Sequence, residues 1–371
     1  MYSFMARSPT TKNGYNMYDM SSMLQKAIRR NDVPYASYAA RELYFGFRPM
    51  MWHRLLTVSA EDCFGIVTRN IAALNQADSI LNGKDSVEKS CLTFIARAIT
   101  LLCAARKSRD ADYVACNYFW NNPKLSEDEL LAFTGHAETN VTAATKNGYT
   151  ADDMMTMLHS SICQSDIPHA SYAALEWYPQ FRKQMWNRLL VASDEDCHGV
   201  MTEEVMALCF SDNKVNGKKA ANHANLLFIA KAIILLSMAR KNPKANYISC
   251  DSLLTDSAMS KEEFLASIDS SLVEHLMRSD FRFQIPDYVF DVHTYRGKRN
   301  GKTQLDFFIN ENKALKPHQL GLFDNGSMGE YVNRSWANGC KLAPAYQQRW
   351  IDFMGGKETD PTHNGKDFPE F

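Results

Sequence analysis

The residue types best suited to chemistry lie in the C-terminal region of the 371-residue chain. Asp291 and His293 stand two positions apart, and a carboxylate beside an imidazole can act as an acid/base pair or as half of a metal site. No further ligand follows at suitable spacing, so we expect neither a metal nor any other cofactor. We expect the two side chains to hold their loop by hydrogen bonds. The alternative is an enzyme that uses them on a phosphorylated substrate.

Four cations follow this pair in a segment that also contains two glycines: Arg296, Lys298, Arg299 and Lys302. Such a segment suits phosphate contacts, because glycine lets a backbone approach closely and cations release counterions from nucleic acid. The alternative is a basic loop in solvent. The formal net charge of the whole chain is -1, so bulk charge gives no sign of nucleic-acid binding. We therefore expect weak DNA contact at most.

Farther on, residues 319–323 read Gln-Leu-Gly-Leu-Phe, which resembles the motif that docks proteins on the bacterial sliding clamp. In that mode Leu322 and Phe323 would be adjacent apolar anchors in one pocket. Gln319 would bond to a polar rim, and Leu320 would pack beside the anchors. The alternative is that these apolar side chains only attach the tail to the rest of the protein.

Paired carboxylates occur twice, in Ser-Ala-Glu-Asp-Cys at residues 59–63 and in Ser-Asp-Glu-Asp-Cys at residues 193–197. Two carboxylates can serve acid/base or metal chemistry. The spacing Ser-x-x-Asp is also close to a capping box, in which the serine accepts an amide proton and the helix dipole favours the acid. We favour capping, and the pattern then predicts a helix that begins at Ser59.

Both pairs belong to one long internal repeat. The offset of 134 residues that separates Gly14 from Gly148 also relates Trp52 to Trp186, with no gap. Each copy has the size of a small domain and exceeds the period of solenoid repeats. The predicted organisation is an N-terminal extension at 1–12, helical units at 13–134 and 147–267, and a C-terminal region at 268–371.

Both copies have the apolar spacing of helices. Met17, Met20 and Leu24 recur at helical intervals, and Asp32 before Pro34 has the form of a cap followed by a first-turn proline. Gly46 would end the next helix. Short connections favour antiparallel bundles. We predict an all-α protein with two tandem, similar helical-bundle domains, followed by a mixed helical and irregular tail.

The cellular compartment is inferred from cysteines and hydropathy. Nine cysteines occur without a Cys-x-x-Cys spacing, which favours buried thiols in a reducing cytoplasm. The first residues are too polar for a secretory leader. The apolar runs at 92–105 and 226–239 are shorter than a membrane span of about 20 residues. We expect a cytoplasmic protein with no membrane partner.

The order of motifs in each copy resembles the C-terminal helical domain of the RarA/MgsA family of clamp-loader-like AAA+ ATPases. The resemblance covers residues 17–114 and again 151–248. In that family a helix with small and basic residues precedes an aromatic helix, a Ser-Glu-Asp turn and an alanine-rich helix. Residues 17–114 match this order, and residues 151–248 match it again with Ser-Asp-Glu-Asp-Cys at 193–197 and the alanine-containing apolar run that follows. The nucleotide-binding loop of such ATPases is missing, and the nearest approach to it, residues 297–303, is one residue short. ATP hydrolysis is not implied, and we expect a protein that is not an enzyme.

The resemblance implies oligomerisation, and placement of a partner near replication forks and single-stranded DNA. Our leading hypothesis is a replication or recombination accessory protein of phage or mobile-element type, in which case it would act in the host cytoplasm. It would dock on the sliding clamp and self-associate through its duplicated module. Further partners would be a RarA-type ATPase or the single-stranded-DNA-binding machinery. The alternative is an inhibitor of the host ATPase or clamp, which an ATPase assay would distinguish.

Overall fold

The computed structural model describes residues 9–82, 92–118, 125–135, 145, 147–195, 201–217, 219, 226–239, 271–278, 284–303, 306–307, 310 and 314–316. Within these ranges the protein is all-α, as predicted, and its β structure is limited to two isolated bridges. None of the described helices has the length and apolar character needed to cross a membrane. The helices of the first copy are α1 (Met17–Arg29), α2 (Val33–Glu61), α3 (Thr68–Asn82), α4 (Thr93–Ala104), α5 (Asp110–Tyr118) and α6 (Glu127–Thr134). Those that follow are α7 (Ala151–Cys163), α8 (Ile167–Glu195), α9 (Thr202–Asn216), α10 (Leu227–Met238), α11 (Ser271–Arg278) and α12 (Tyr295–Arg299).

Four helices of the first copy recur in the second with the same bounds, shifted by 134 residues. They are α1 with α7, α2 with α8, α3 with α9, and α4 with α10. The predicted cap at Asp32 is present, since its side chain accepts a hydrogen bond from the Tyr35 amide, and the equivalent Asp166 accepts one from the His169 amide. The two copies bury Trp52 and Trp186, each 2% exposed, in one continuous core. The division into two domains stays a prediction.

Helices α2 and α8 each consist of two helical halves that meet at a kink. The backbone leaves helical geometry at Phe47 (φ -132°, ψ 32°) in α2 and at the equivalent Phe181 (φ -124°, ψ 31°) in α8. The first half of α2 therefore ends at Gly46, as predicted. A proline lies near each bend, Pro49 in the first copy and Pro179 in the second.

The predicted helix start at Ser59 is wrong. Ser59 lies near the end of α2, where its hydroxyl donates to the Leu56 carbonyl (2.7 Å) and lies 3.1 Å from the Thr68 hydroxyl. Asp62 is the C-cap residue of α2 and is fully buried. A Ser-x-x-Asp pattern does not distinguish the two ends of a helix when partners distant in sequence satisfy the carboxylate.

The contact between the copies is polar as well as apolar. Glu204 at the start of α9 accepts hydrogen bonds from the amides of Thr68 and Arg69, both at 2.9 Å, at the start of α3. These are two of the amides that a helix N-terminus leaves without an intrahelical partner. Lys231 of α10 donates to the Cys63 carbonyl. Burial raises the pKa of Glu204 and lowers the pKa of Lys231.

The described part of the tail packs on the first copy. Helix α11 contacts α2 and α4. The next segment runs along α1, where the Ser22 hydroxyl donates to the Val289 carbonyl at 3.0 Å. At the end of α1 the Lys316 amide donates to the Arg29 carbonyl at 2.7 Å. The tail therefore covers a face of α1 that is polar in sequence.

Candidate functional site

A pocket of about 560 Å³ lies where the tail crosses the first copy. Its walls come from α1, the second half of α2, the start of α5 and the tail. Charged and aromatic side chains dominate the lining: Tyr18, Asp19, Lys26, Arg29, Arg54, Glu61, Arg109, Asp112, Asp291, His293, Tyr295 and Phe307. This pocket brings the predicted pair Asp291 and His293 together with cations that the sequence did not connect to them.

Asp291 organises its loop, as predicted. Its carboxylate accepts the His293 amide at 2.9 Å and lies 3.3 Å from His293 Nδ1. Lys26 of α1 adds an ion pair at 2.7 Å, which the sequence did not predict. Burial alone would raise the pKa of Asp291, but the hydrogen bond from His293 and the Lys26 ammonium outweigh it and hold the pKa well below its usual range.

The first Glu-Asp pair forms a buried ion cluster with two arginines. Arg29 donates to Glu61 at 2.8 Å and to Asp62 at 2.7 Å, and Arg109 donates to the same carboxylates at 2.8 and 2.6 Å. The side-chain amide of Gln25 donates a hydrogen bond to each of the two carboxylates, both at 3.0 Å. Burial would raise the pKa of Asp62, and the two guanidinium groups outweigh this and lower it. The predicted capping role is therefore replaced by tertiary charge pairing.

The basic segment forms a short helix, α12, instead of a loop. The Thr294 hydroxyl accepts a hydrogen bond from the Gly297 amide at 3.0 Å and so caps the N-terminus of α12. Arg296, Lys298 and Arg299 are exposed. The remaining predicted cation, Lys302, pairs with Asp287 at 2.9 Å.

Glycine at position 297 serves the protein's own backbone. A Cβ there would lie 1.9 Å from the Asp291 carbonyl oxygen, so any larger residue would clash with the loop that carries Asp291. From the sequence we expected the glycine to allow close approach to a phosphate. In the structure the glycine allows α12 to pack directly against the backbone of the Asp291 loop.

The predicted clamp motif, residues 319–323 with Gln319, Leu320, Leu322 and Phe323, lies outside the described residues. The last described residue, Lys316, lies three positions before Gln319. The equivalent of Asp62 in the second copy, Asp196, also lies outside the described ranges.

A second polar network recurs in both copies, and sequence reasoning missed it. Asp78 accepts from the Trp52 indole N–H at 2.7 Å and pairs with Arg48 at 2.7 Å. Asp212 makes the same two contacts in the second copy, to Trp186 and Arg182, also at 2.7 Å. Both tryptophans are buried in the core. The signal for the network was present in the repeat, since all three residue types recur at the same offset.

Four cysteines are free thiols, namely Cys63, Cys103, Cys163 and Cys209. Cys63 and Cys103 are buried, as predicted, and burial raises their pKa values to about 11 and about 12. Cys163 is exposed, which is contrary to the expectation of buried thiols. No group of three or more histidine, cysteine or carboxylate side chains within the described ranges is placed to hold a metal ion.

Comparison of the chain with models of known protein families, with curated proteins and with solved structures gives no match.

Proposed function

We propose that the protein is a replication or recombination accessory factor that docks on a bacterial sliding clamp through residues 319–323 and positions its duplicated helical module there. The function is binding and positioning, without catalysis. Self-association and contacts with a RarA-type ATPase belong to the same proposal. The pentapeptide and the ordered resemblance of both copies to RarA/MgsA helical domains support it.

The structural observation that carries the proposal is the attachment of the chain just before the pentapeptide. Leu315 is 4% exposed, and the Lys316 amide is bonded to the Arg29 carbonyl at 2.7 Å. Lys316 itself is exposed. The chain is thus fixed on the surface three residues before Gln319, which is a suitable starting point for a peptide that binds a groove on a partner.

The test is binding of the purified full-length chain to a bacterial sliding clamp, measured by surface plasmon resonance. The double variant Leu322→Ala, Phe323→Ala should bind at least about 100-fold more weakly, because adjacent apolar anchors act as hot spots. The matched control is Ile80→Ala, Leu81→Ala, which removes apolar side chains that are 85% and 61% exposed on α3. It should bind like the wild type. Absence of wild-type binding, or equal binding by both double variants, would overturn clamp docking.

A further inference from the structure

The pocket between α1 and the tail has the size of a small-molecule site. Its volume of about 560 Å³ falls inside the range of about 300–1,000 Å³ that is usual for ligand pockets. Most of its charges are paired with each other. Arg29 and Arg109 hold Glu61 and Asp62, and Lys26 holds Asp291. Two pocket residues differ from this pattern, Arg54 and Asp19.

The guanidinium of Arg54 makes hydrogen bonds to neutral side chains. Its Nε donates to the Ser21 hydroxyl and its Nη1 to the Gln25 side-chain oxygen, both at 2.9 Å. Among the described residues no carboxylate oxygen lies within 4.0 Å of its nitrogens. Burial lowers the pKa of this guanidinium, and the nearby Glu61 charge offsets part of that. A positioned guanidinium with neutral partners is suited to an anionic group of a ligand.

Asp19 supplies the opposite charge on the same pocket. It is half-buried in the first turn of α1, and no hydrogen bond to its carboxylate is made by the described residues. Burial raises its pKa, and the charges of Arg296 and Lys26 offset part of the shift. A ligand that uses both residues would carry an anionic group for Arg54 and N–H donors for Asp19.

Two exposed tyrosines mark the opening of the pocket. Tyr18 is 59% exposed and Tyr295 is 78% exposed, and both belong to the lining. Exposed aromatic rings beside cations are stacking surfaces for planar bases. The exposed side chains of Arg296, Lys298 and Arg299 lie on the helix that Tyr295 begins, where further phosphates could be contacted.

We propose that this pocket binds a nucleoside phosphate, with the phosphate on Arg54, the base stacked on Tyr18, and a base N–H group donating to Asp19. The ligand is either a free nucleotide or one unit of single-stranded nucleic acid. The proposal is independent of clamp docking, because none of its residues lies in 319–323. Failure of one binding assay leaves the other untouched.

The test is isothermal titration calorimetry of the full-length chain with adenosine monophosphate, adenosine, inorganic phosphate and an oligodeoxyadenylate of about ten nucleotides. Adenosine monophosphate should bind at least about tenfold more tightly than adenosine or phosphate alone, because charge-assisted contacts to the phosphate add to stacking. The variant Arg54→Gln should lose about tenfold or more. Arg188→Gln changes the equivalent arginine of the second copy, and it should bind like the wild type.

Two variants at more exposed positions keep the test valid if Arg54→Gln fails to fold. Tyr18→Ala and Asp19→Asn should each weaken binding several-fold while circular dichroism stays unchanged. If the oligonucleotide binds more tightly than the mononucleotide, and the triple change of Arg296, Lys298 and Arg299 to alanine lowers the salt dependence, the source is a strand. If the mononucleotide binds at least as tightly as the oligonucleotide, the source is a free nucleotide. Absence of binding by both, or binding that survives Arg54→Gln and Tyr18→Ala, would overturn the proposal.

Discussion

The two copies share one set of polar side chains and differ in another. Asp78 and Asp212 bind a tryptophan and an arginine in the same way. Glu42 and Glu176 each accept the side-chain amide of the asparagine in the repeated Asn-Gly-Tyr segment, at 2.5 and 2.6 Å. These repeated contacts position helices and loops.

The face of α1 that meets the tail is different. Lys26 and Arg29 of the first copy correspond to Ser160 and Cys163 of the second. Cys163 is exposed, whereas Arg29 is 2% exposed. Residues that are the same in both copies therefore stabilise the fold, whereas residues that differ between the copies line the pocket. The pocket is formed by the first copy and the tail.

The largest effect should come from what the copies share. Asp78→Ala and Asp212→Ala should each lower the free energy of unfolding by about 3–5 kcal/mol, because each leaves an arginine and an indole N–H without their buried acceptor. Urea unfolding of both variants measures this. A large loss in one copy and none in the other would break the equivalence of the two networks.

The next effect should separate the copies. Arg29→Ala removes one of two cations from the buried Asp62 carboxylate, and we expect a loss of about 2–4 kcal/mol. The equivalent change in the second copy, Cys163→Ala, should stay within about 0.5 kcal/mol, because it is a surface substitution. Equal losses in parallel urea titrations would show that the buried charge cluster is not what distinguishes the first copy.

A smaller effect should appear at the contact between the copies. Glu204→Ala removes the acceptor of two amides at the start of α3, so we expect a loss of about 2 kcal/mol. Asn70, the exposed counterpart of Glu204 in the first copy, is the control, and Asn70→Ala should change stability by about 0.5 kcal/mol or less. Thermal unfolding of both variants measures these losses of stability. Equal losses for the two variants would contradict the prediction.

The smallest effect concerns acid. The folded protein lowers the pKa values of Asp62 and Asp291 below the ordinary 3.8. Each contribution to stability is therefore complete above about pH 4 and is lost as the pH falls through the folded pKa. Asp291→Asn should reduce stability at about pH 7 and should flatten its fall toward about pH 3. Asp287→Asn, at a carboxylate that is 72% exposed, is the control and should unfold with acid like the wild type.

The local parts of the fold were predictable from sequence. The apolar spacing of Met17, Met20 and Leu24 predicted the helix that the structure shows as α1, because one buried face decides a helix of this length. The Asp32 cap and the core positions of Trp52 and Trp186 were also predictable, since they depend on near neighbours or on size and hydrophobicity.

The site was only half predictable, because its contacts join distant parts of the chain. Asp62 looked like a cap because its partners Arg29 and Arg109 lie 33 and 47 residues away. Lys26 and Asp291 are separated by most of the chain, and no spacing rule connects them. The repeat did contain one usable signal. Positions where the copies differ in charge, such as Arg29 against Cys163, mark the face that is used only once.

The hydrogen bonds between Glu204 and the start of α3 make the contact between the copies asymmetric. A symmetric dimer uses each contact twice, once from each subunit. Here the reciprocal position holds Asn70, which has no carboxylate to place at the start of α9. Two first copies would therefore lack this carboxylate at the start of α3. The contact between the copies is heterologous, because the carboxylate that caps a helix start is supplied from the second copy only.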